Sequence, residues 1–285
     1  MTTLENSPGS HHPLPGTNAE LINPDIVRGR FRSVLFDFDG TLSLIRQGWP
    51  DVMIPMMVDV LKQTHTSETD EQLHETVEHY VMRLNGRQTI YQMMQLVEEV
   101  RKRGGHPESA LTYKTRYHEL LAIPVQQRLD AIQHGQLTPE SLTVPGSHSL
   151  LENLQKLGLH LYLASGTDLT YVKQELTWLK LDHYFGQHIY GALDDYKNFS
   201  KAMIIQQILN ENDLQGEELL GFGDGFVEIE EVKRVGGVSI GVASNEATGH
   251  GINLWKRERL IEAGADLIIP EYREQSALIK WLFQT

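Results

Sequence analysis

Apolar and polar positions along the chain fall into three textures. A short apolar run, Ser33-Val34-Leu35-Phe36, has the pattern of a strand buried on both faces, and it stops abruptly at Asp37-Phe38-Asp39-Gly40-Thr41. From about residue 44 to 143 the apolar positions recur at helical spacing. Val77, Tyr80, Val81 and Leu84 stand at i, i+3, i+4 and i+7, and Ile90, Met93, Met94 and Val97 repeat that spacing. Asn85-Gly86-Arg87-Gln88 separates these two helices. Gly104-Gly105-His106-Pro107 ends the second, behind Arg101, Lys102 and Arg103, whose charges suit a helix C-terminus. Another helix is expected over 111–121, and Val125, Leu129 and Ile132 mark a further short one.

Beyond Pro145-Gly146 strands and helices alternate. The pattern predicts helix 147–157, strand 160–164 running into Ser165-Gly166-Thr167, helix 168–179 with Asp168 as N-cap, strand 188–193, and helix 201–210 capped by Ser200. Strand 219–222 follows and ends in Gly223-Asp224-Gly225. A helix from near Val227, strand 238–242, helix 254–263, strand 266–269 and helix 276–283 complete the series. Such alternation implies an α/β fold, a parallel sheet covered on both faces in the Rossmann-like manner. The expected domains are an α/β core of residues 24–43 and 144–285, an inserted helical cap of residues 44–143, and a flexible N-terminal tail of residues 1–23. No internal repeat is visible.

Composition narrows the function classes. The chain has 285 residues, 40% hydrophobic and 22% charged, as in ordinary globular proteins. A formal net charge of −13 argues against coating nucleic acid or an anionic membrane. With no cysteine, disulfides, thiol catalysis and thiolate metal sites are excluded. No apolar run approaches the roughly 18 residues needed to span a bilayer, and residues 1–23 lack a basic-then-apolar signal design, so a cytoplasmic location is expected. The paired His11-His12 in the tail reads as incidental. His79, His106 and His118 show no convergent partners. Met53, Met56, Met57, Met93 and Met94 read as adaptable packing in the helical insertion.

The polar residues at strand ends suggest the chemistry. Asp37 and Asp39 close the first strand, Ser165-Gly166-Thr167 the second, Lys201 opens the helix beyond the third, and Asp224 with Glu228 follows the fourth. Ligands of open α/β sheets bind at this carboxyl edge. A phosphate monoester carries crowded negative charge, so a carboxylate attacks its phosphorus only when that charge is neutralised. Mg²⁺ held by hard oxygens, with a hydroxyl, a backbone N–H and an ammonium on the remaining oxygens, would do this. One carboxylate then attacks, and a second moves the proton of the leaving group.

These stations resemble the motifs of the haloacid dehalogenase superfamily of phosphohydrolases over residues 31–41 and 144–269. DFDGT matches the family's DxDGT, LYLASGT its strand ending in Ser or Thr, Lys201 its lysine, and GDGFVE its GDxxx(D/E). The resemblance implies Asp37 as nucleophile and Asp39 as general acid/base. It implies Mg²⁺ on Asp37, Asp224 and the Asp39 carbonyl, with Glu228 behind the metal. Phosphate contacts are expected from Thr41, Ser165, Gly166 and Lys201, and Lys197, four residues earlier, is the alternative lysine. A helical insertion directly after the first motif is similar to the subfamily of phosphoglycolate phosphatase and β-phosphoglucomutase. There a cap loop reads the substrate, which points to Arg87 and Gln88 in Asn85–Thr89 and to Arg46, Gln47 and Trp49 at the cap entrance. The expected partner is a small phosphorylated metabolite, and the expected activity is a Mg²⁺-dependent phosphatase acting through an aspartyl-phosphate. A phosphosugar mutase of the same fold and a catalytically silent scaffolding protein stand as alternatives. Asp39 argues against dehalogenation, which has no alkoxide to protonate. The stretch 243–265 is longer than in simpler relatives, and its role is left open between the mouth of the site and an interface.

Overall fold

The computed structural model describes residues 12–193 and 195–284. Eight strands form one sheet: β1 (His12–Pro13), β2 (Glu20–Leu21), β3 (Ser33–Phe36), β4 (His160–Asp168), β5 (Ile189–Ala192), β6 (Leu219–Gly223), β7 (Val238–Val242) and β8 (Leu267–Ile269). Their spatial order is β1-β2-β8-β7-β6-β3-β4-β5, parallel from β5 to β8. The two-residue strands β1 and β2 extend the β8 edge antiparallel. This corrects the expected tail over residues 12–23: Leu14 and Ala19 are buried in the core, and residues 12–13 and 20–21 pair into the sheet. His11 lies outside the described residues. Two-residue strands have no period to read, so their pairing left no signal in the sequence.

Eleven α-helices are present among the described residues. The core helices are α5 (Ser147–Lys156), α6 (Leu169–Trp178), α7 (Asp182–Phe185), α8 (Lys201–Asn212), α9 (Phe226–Arg234), α10 (Leu254–Glu262) and α11 (Gln275–Phe283). Alternate strand residues feed two apolar layers. Val34, Phe36, Leu161, Leu163, Leu220 and Phe222 pack with α5, α6 and α11, whereas Leu35, Tyr162, Ala164 and Leu219 pack with α8 and Val232 of α9. Burial on both faces explains why these strands read as unbroken apolar runs.

Helices α1 (Pro50–Lys62), α2 (Asp70–Arg83), α3 (Thr89–Lys102) and α4 (Ala110–Gln133) enclose an apolar cluster of their own, built from Met53, Met57, Leu61, Val77, Tyr80, Val81, Met93 and Leu96 among others. Thr69 and Gln72 form a capping box at the start of α2, and Ser109 caps α4. The two helices expected over 111–121 and 125–132 are one element, α4, which carries Pro124 in its interior. Proline costs the helix one hydrogen bond. Burial on both sides of it offsets that loss, because Leu121 packs in the cluster of α1–α4, Leu129 packs in the core, and Val125 touches both. Among the described residues no helix is long and apolar enough to cross a membrane.

Candidate active site

Strand β3 lies between β4 and β6, with Phe36 level with Leu163 and Phe222. The three chains therefore leave the sheet side by side and deliver Asp37, Ser165 and Asp224 to one edge. Together with Lys201 at the start of α8, they line a cavity of about 80 Å³ bounded on its far side by Met53 of α1, the loop 85–87, Gln92 of α3 and Tyr117 of α4.

Lys201 is the anchor of this wall. Its buried ammonium lies 2.9 Å from Asp37 Oδ1 and donates to Glu228 Oε2 at 2.6 Å. Burial opposes the charge of Lys201, but the Asp37 and Glu228 carboxylates outweigh it and raise the pKa, so the group stays an ammonium. Glu228 Oε1 accepts the Gly225 N–H at 2.6 Å, so both of its oxygens are engaged. Burial pushes the Asp37 carboxyl well above the usual range. Lys201 works against that shift, while Glu228 and Asp224 add to it.

Asp39 is held differently. The Thr167 hydroxyl donates to its Oδ2 at 2.8 Å, and Oδ1 is buried without a hydrogen-bond partner, 3.8 Å from Arg46 Nε. Burial raises the Asp39 pKa, with Arg46 and Thr167 opposing. Arg46 is itself gripped by buried Glu175 through Nε at 3.0 and 3.1 Å and through one terminal nitrogen at 2.7 Å. Against the cost of burial, Glu175 and Asp39 raise the Arg46 pKa and keep the guanidinium charged.

A second buried lysine mirrors the first. Lys256 on α10 donates to Asp224 Oδ2 at 2.8 Å, to Glu246 Oε1 at 2.6 Å and to Ser244 Oγ at 3.3 Å. The Ser244 hydroxyl in turn donates to the Gly40 carbonyl at 2.9 Å. Carboxylate oxygens of Asp37, Asp224 and Glu228 lie within 4.8 Å of one another.

The loop between α2 and α3 forms the opposite wall. Gly86 faces Gly225 so closely that a Cβ on Gly225 would stand 3.0 Å from the Gly86 Cα, and a Cβ on Gly166 would stand 2.8 Å from the Arg87 carbonyl oxygen. Glycine is what permits both approaches. The Gln88 side chain donates to the Phe199 carbonyl at 2.8 Å and so ties the loop to the segment before α8.

Of the residues singled out by sequence, Asp37, Asp39, Ser165, Gly166, Lys201, Asp224, Arg46, Gln47, Trp49 and Arg87 all line the cavity. Two expectations about the site are corrected. Thr41 is fully buried away from the cavity, and its hydroxyl accepts the Asp224 N–H at 2.9 Å, so it fixes a loop rather than meeting phosphate. Gln88 turns from the cavity to the core, as described. Of the two candidate lysines, Lys201 lines the cavity and reaches Asp37, while the alternative, Lys197, lies exposed in a 3₁₀ turn outside the cavity lining. Asp168 stands at the N-cap position of α6, but its carboxylate takes the ammonium of Lys114 and makes no cap bond. Thr167, Glu175, Lys256, Glu246 and Tyr117 were not read from sequence. Thr167 sits inside the SGT stretch already noted, and Glu246 and Lys256 fall in the long 243–265 connection. Nothing local marks Glu175 or Tyr117.

The family profile of haloacid dehalogenase-like hydrolases matches residues 31–236, and the chain belongs to this family of hydrolases. Comparison with curated proteins finds no significant match. Among solved structures, the fold is similar to a predicted phosphoglycolate phosphatase from Haemophilus somnus, at 17% identity and a TM-score of 0.57 over 88% of this chain and 98% of that one. It is also similar to a predicted phosphatase from Clostridium acetobutylicum, at 20% identity and 0.57 over 88% and 99%. A β-phosphoglucomutase from Clostridium difficile aligns at 15% identity and 0.55 over 88% and 98%. At these identities the likeness is one of fold.

Proposed function

We propose that the protein is a phosphatase that hydrolyses a small phosphate monoester through an aspartyl-phosphate on Asp37, with α1–α4 acting as the cap over the reaction. The observation that carries this reading is the unlike treatment of two aspartates two residues apart. Asp37 faces an ammonium, and Asp39 faces a hydroxyl and a distant guanidinium.

The two environments suit two tasks. A carboxylate oxygen of Asp37 attacks phosphorus, and the bond from phosphorus to the leaving oxygen breaks. Asp39, whose burial favours the protonated acid, gives its proton to that oxygen. Water then attacks the phosphorus of the aspartyl-phosphate, Asp39 takes its proton, and phosphate leaves with Asp37 restored. The Ser165 hydroxyl, the backbone at Gly166 and the Lys201 ammonium hold the non-bridging oxygens.

The donor set fits Mg²⁺. Asp37, Asp39, Asp224, Glu228 and Glu246 face Lys201, Lys256 and an Arg46 already shared with Glu175, so the wall carries more acid than base. Lys201 and Lys256 each engage one oxygen of Asp37 and Asp224, and the other oxygen of each is left for a hard cation. When bound, the ion would screen phosphate charge from the attacking carboxylate. Asp37, Asp224 and the Asp39 carbonyl are the ligands we assign, with Glu228 behind them because both its oxygens are engaged. The cavity of about 80 Å³ favours a small leaving group, for which Arg87, Arg46, Trp49 and Gln47 are the adjacent readers.

The decisive test is phosphate release from a broad panel of phosphorylated metabolites with and without Mg²⁺. Turnover that requires Mg²⁺ and falls by at least a thousandfold in Asp37→Asn is expected. A protein that releases no phosphate from any member refutes the phosphatase. Transfer to a second sugar phosphate in place of water would make the enzyme a mutase.

A further inference from the structure

The cap loop does not hold itself in place. Its contacts with Gly166 and Gly225 are van der Waals approaches between backbones, which are individually weak. It follows directly from the C-terminal end of α2, where the last carbonyls of any helix lack intrahelical partners and the macrodipole presents negative charge.

Arg259 of α10 meets that end. Its guanidinium donates to the carbonyls of Met82, of Arg83 at 2.7 Å and of Asn85 at 3.4 Å. It lies between two rings, 4.7 Å from the centroid of Phe226 and 5.2 Å from that of Trp255. Among the described residues no carboxylate lies within 4.0 Å of it, so its charge is directed at the helix end and not spent on an ion pair. Phe226 opens α9 immediately after Gly225, the residue on which Gly86 rests. One side chain thus ties α2 and the cap loop to the helix that follows Asp224. From the loop itself, the Gln88 side chain ties to the Phe199 carbonyl on the α3 side, and the Arg87 guanidinium lies 5.9 Å from the centroid of the Phe226 ring.

We propose that Arg259 is a positioning residue that seats the loop Asn85–Gln88 over the phosphate site. This assigns a task to the long 243–265 connection: it supplies the helix whose Lys256 faces Asp224 and whose Arg259, one turn on, clamps the cap. The proposal deepens the phosphatase reading, and its catalytic consequence rests on that reading. The clamp itself does not.

The test uses the full chain and Arg259→Ala, with Arg259→Lys as the partial variant, since an ammonium can keep some of the carbonyls but not the fork. Limited trypsin digestion, read by mass spectrometry, reports cutting after Arg83, the last residue of α2, and after Arg87 within the loop. Cutting at least tenfold faster in Arg259→Ala, an intermediate rate in Arg259→Lys, and an unchanged circular-dichroism spectrum are expected. With a substrate from the metabolite panel, KM rises about tenfold in Arg259→Ala, the scale of one hydrogen bond to a charged group, and kcat changes less than about threefold. Equal trypsin rates in wild type and Arg259→Ala overturn the clamp whatever the kinetics show. Fast cutting with kcat lost and KM unchanged overturns the seating role and makes Arg259 a general support of the site. Fast cutting in a protein that releases no phosphate leaves the clamp standing and refutes the phosphatase instead.

Discussion

The two walls of the cavity are built on different principles. On the core wall the polar groups are side chains at strand ends or helix starts, each pinned by another buried side chain: Asp37 by Lys201, Lys201 by Glu228, Asp224 by Lys256, Asp39 by Thr167. On the cap wall the loop meets the core mainly through backbone, at Gly86, Arg87 and the three carbonyls taken by Arg259. A wall of paired buried charges fails abruptly when one partner goes, because the other is left uncompensated. A wall seated through its backbone fails gradually, by displacement.

Breaking the core wall should therefore have the largest effect. Lys201→Met leaves Asp37 and Glu228 buried with no cation, at a cost of about 3–5 kcal/mol, and phosphate release drops at least a hundredfold. The sign with pH follows from linkage. Burial already raises the Asp37 pKa and Lys201 opposes that rise, so without Lys201 the Asp37 carboxyl holds its proton still more tightly in the folded chain than in the unfolded one, and the deficit shrinks as pH falls. Urea melts of wild type and variant at pH 7.5 and 5.5 measure it, and a deficit that widens on acidification contradicts the pairing. Asp39→Asn comes next and separates two roles on one wall. It slows alkyl phosphates by about 10²- to 10⁴-fold, and slows para-nitrophenyl phosphate far less, because a phenolate leaves without a proton. Mn²⁺ affinity, read by titration, stays near wild type, since the assigned ligand is the Asp39 carbonyl. Equal loss of turnover and metal affinity would mean the roles of the two aspartates are exchanged.

The smallest effect is expected where the cap meets the core. His118 on α4 lies with Nδ1 3.8 Å from Asp168 Oδ2 and its ring 5.0 Å from that of Tyr171. Burial lowers its pKa to about 4, with Asp168 opposing. The unfolded chain then binds the proton more tightly than the folded one. The stability His118 contributes is complete above about pH 6.5 and is lost as pH falls towards 4. His118→Gln should narrow the gap in melting temperature between pH 7.5 and pH 5. A gap identical to wild type would show that the ring is not held neutral.

How much of this was legible in the sequence follows the same division. Asp37, Ser165, Lys201 and Asp224 could be placed because each stands beside a local signal, an apolar run that stops or a helix that starts. The sheet behind them was legible for the same reason. Arg46 with Glu175 and Lys256 with Asp224 were not, since the partners lie 129 and 32 residues apart and each alone looks like a solvated charge. Thr41 misled because a hydroxyl beside two aspartates fits a phosphate contact as well as a loop tie. α4 was read as two helices because the pattern of one face changes partner at Pro124, from cap to core.

Two glycines, Gly86 and Gly225, meet where the cap touches the core wall, and a contact between residues without side chains encodes no preference for any substrate. The positions on either side, Asn85 and Arg87, lend the seam their backbone carbonyls, one to Arg259 and one beside Gly166, and both residues also line the cavity. On the proposed phosphatase reading, closure at these positions draws on backbone that any residue carries and leaves recognition to their side chains. In evolutionary terms, a lineage of this fold that reads its substrate as proposed could exchange the side chains at 85 and 87 to take up a new leaving group without relearning how to close.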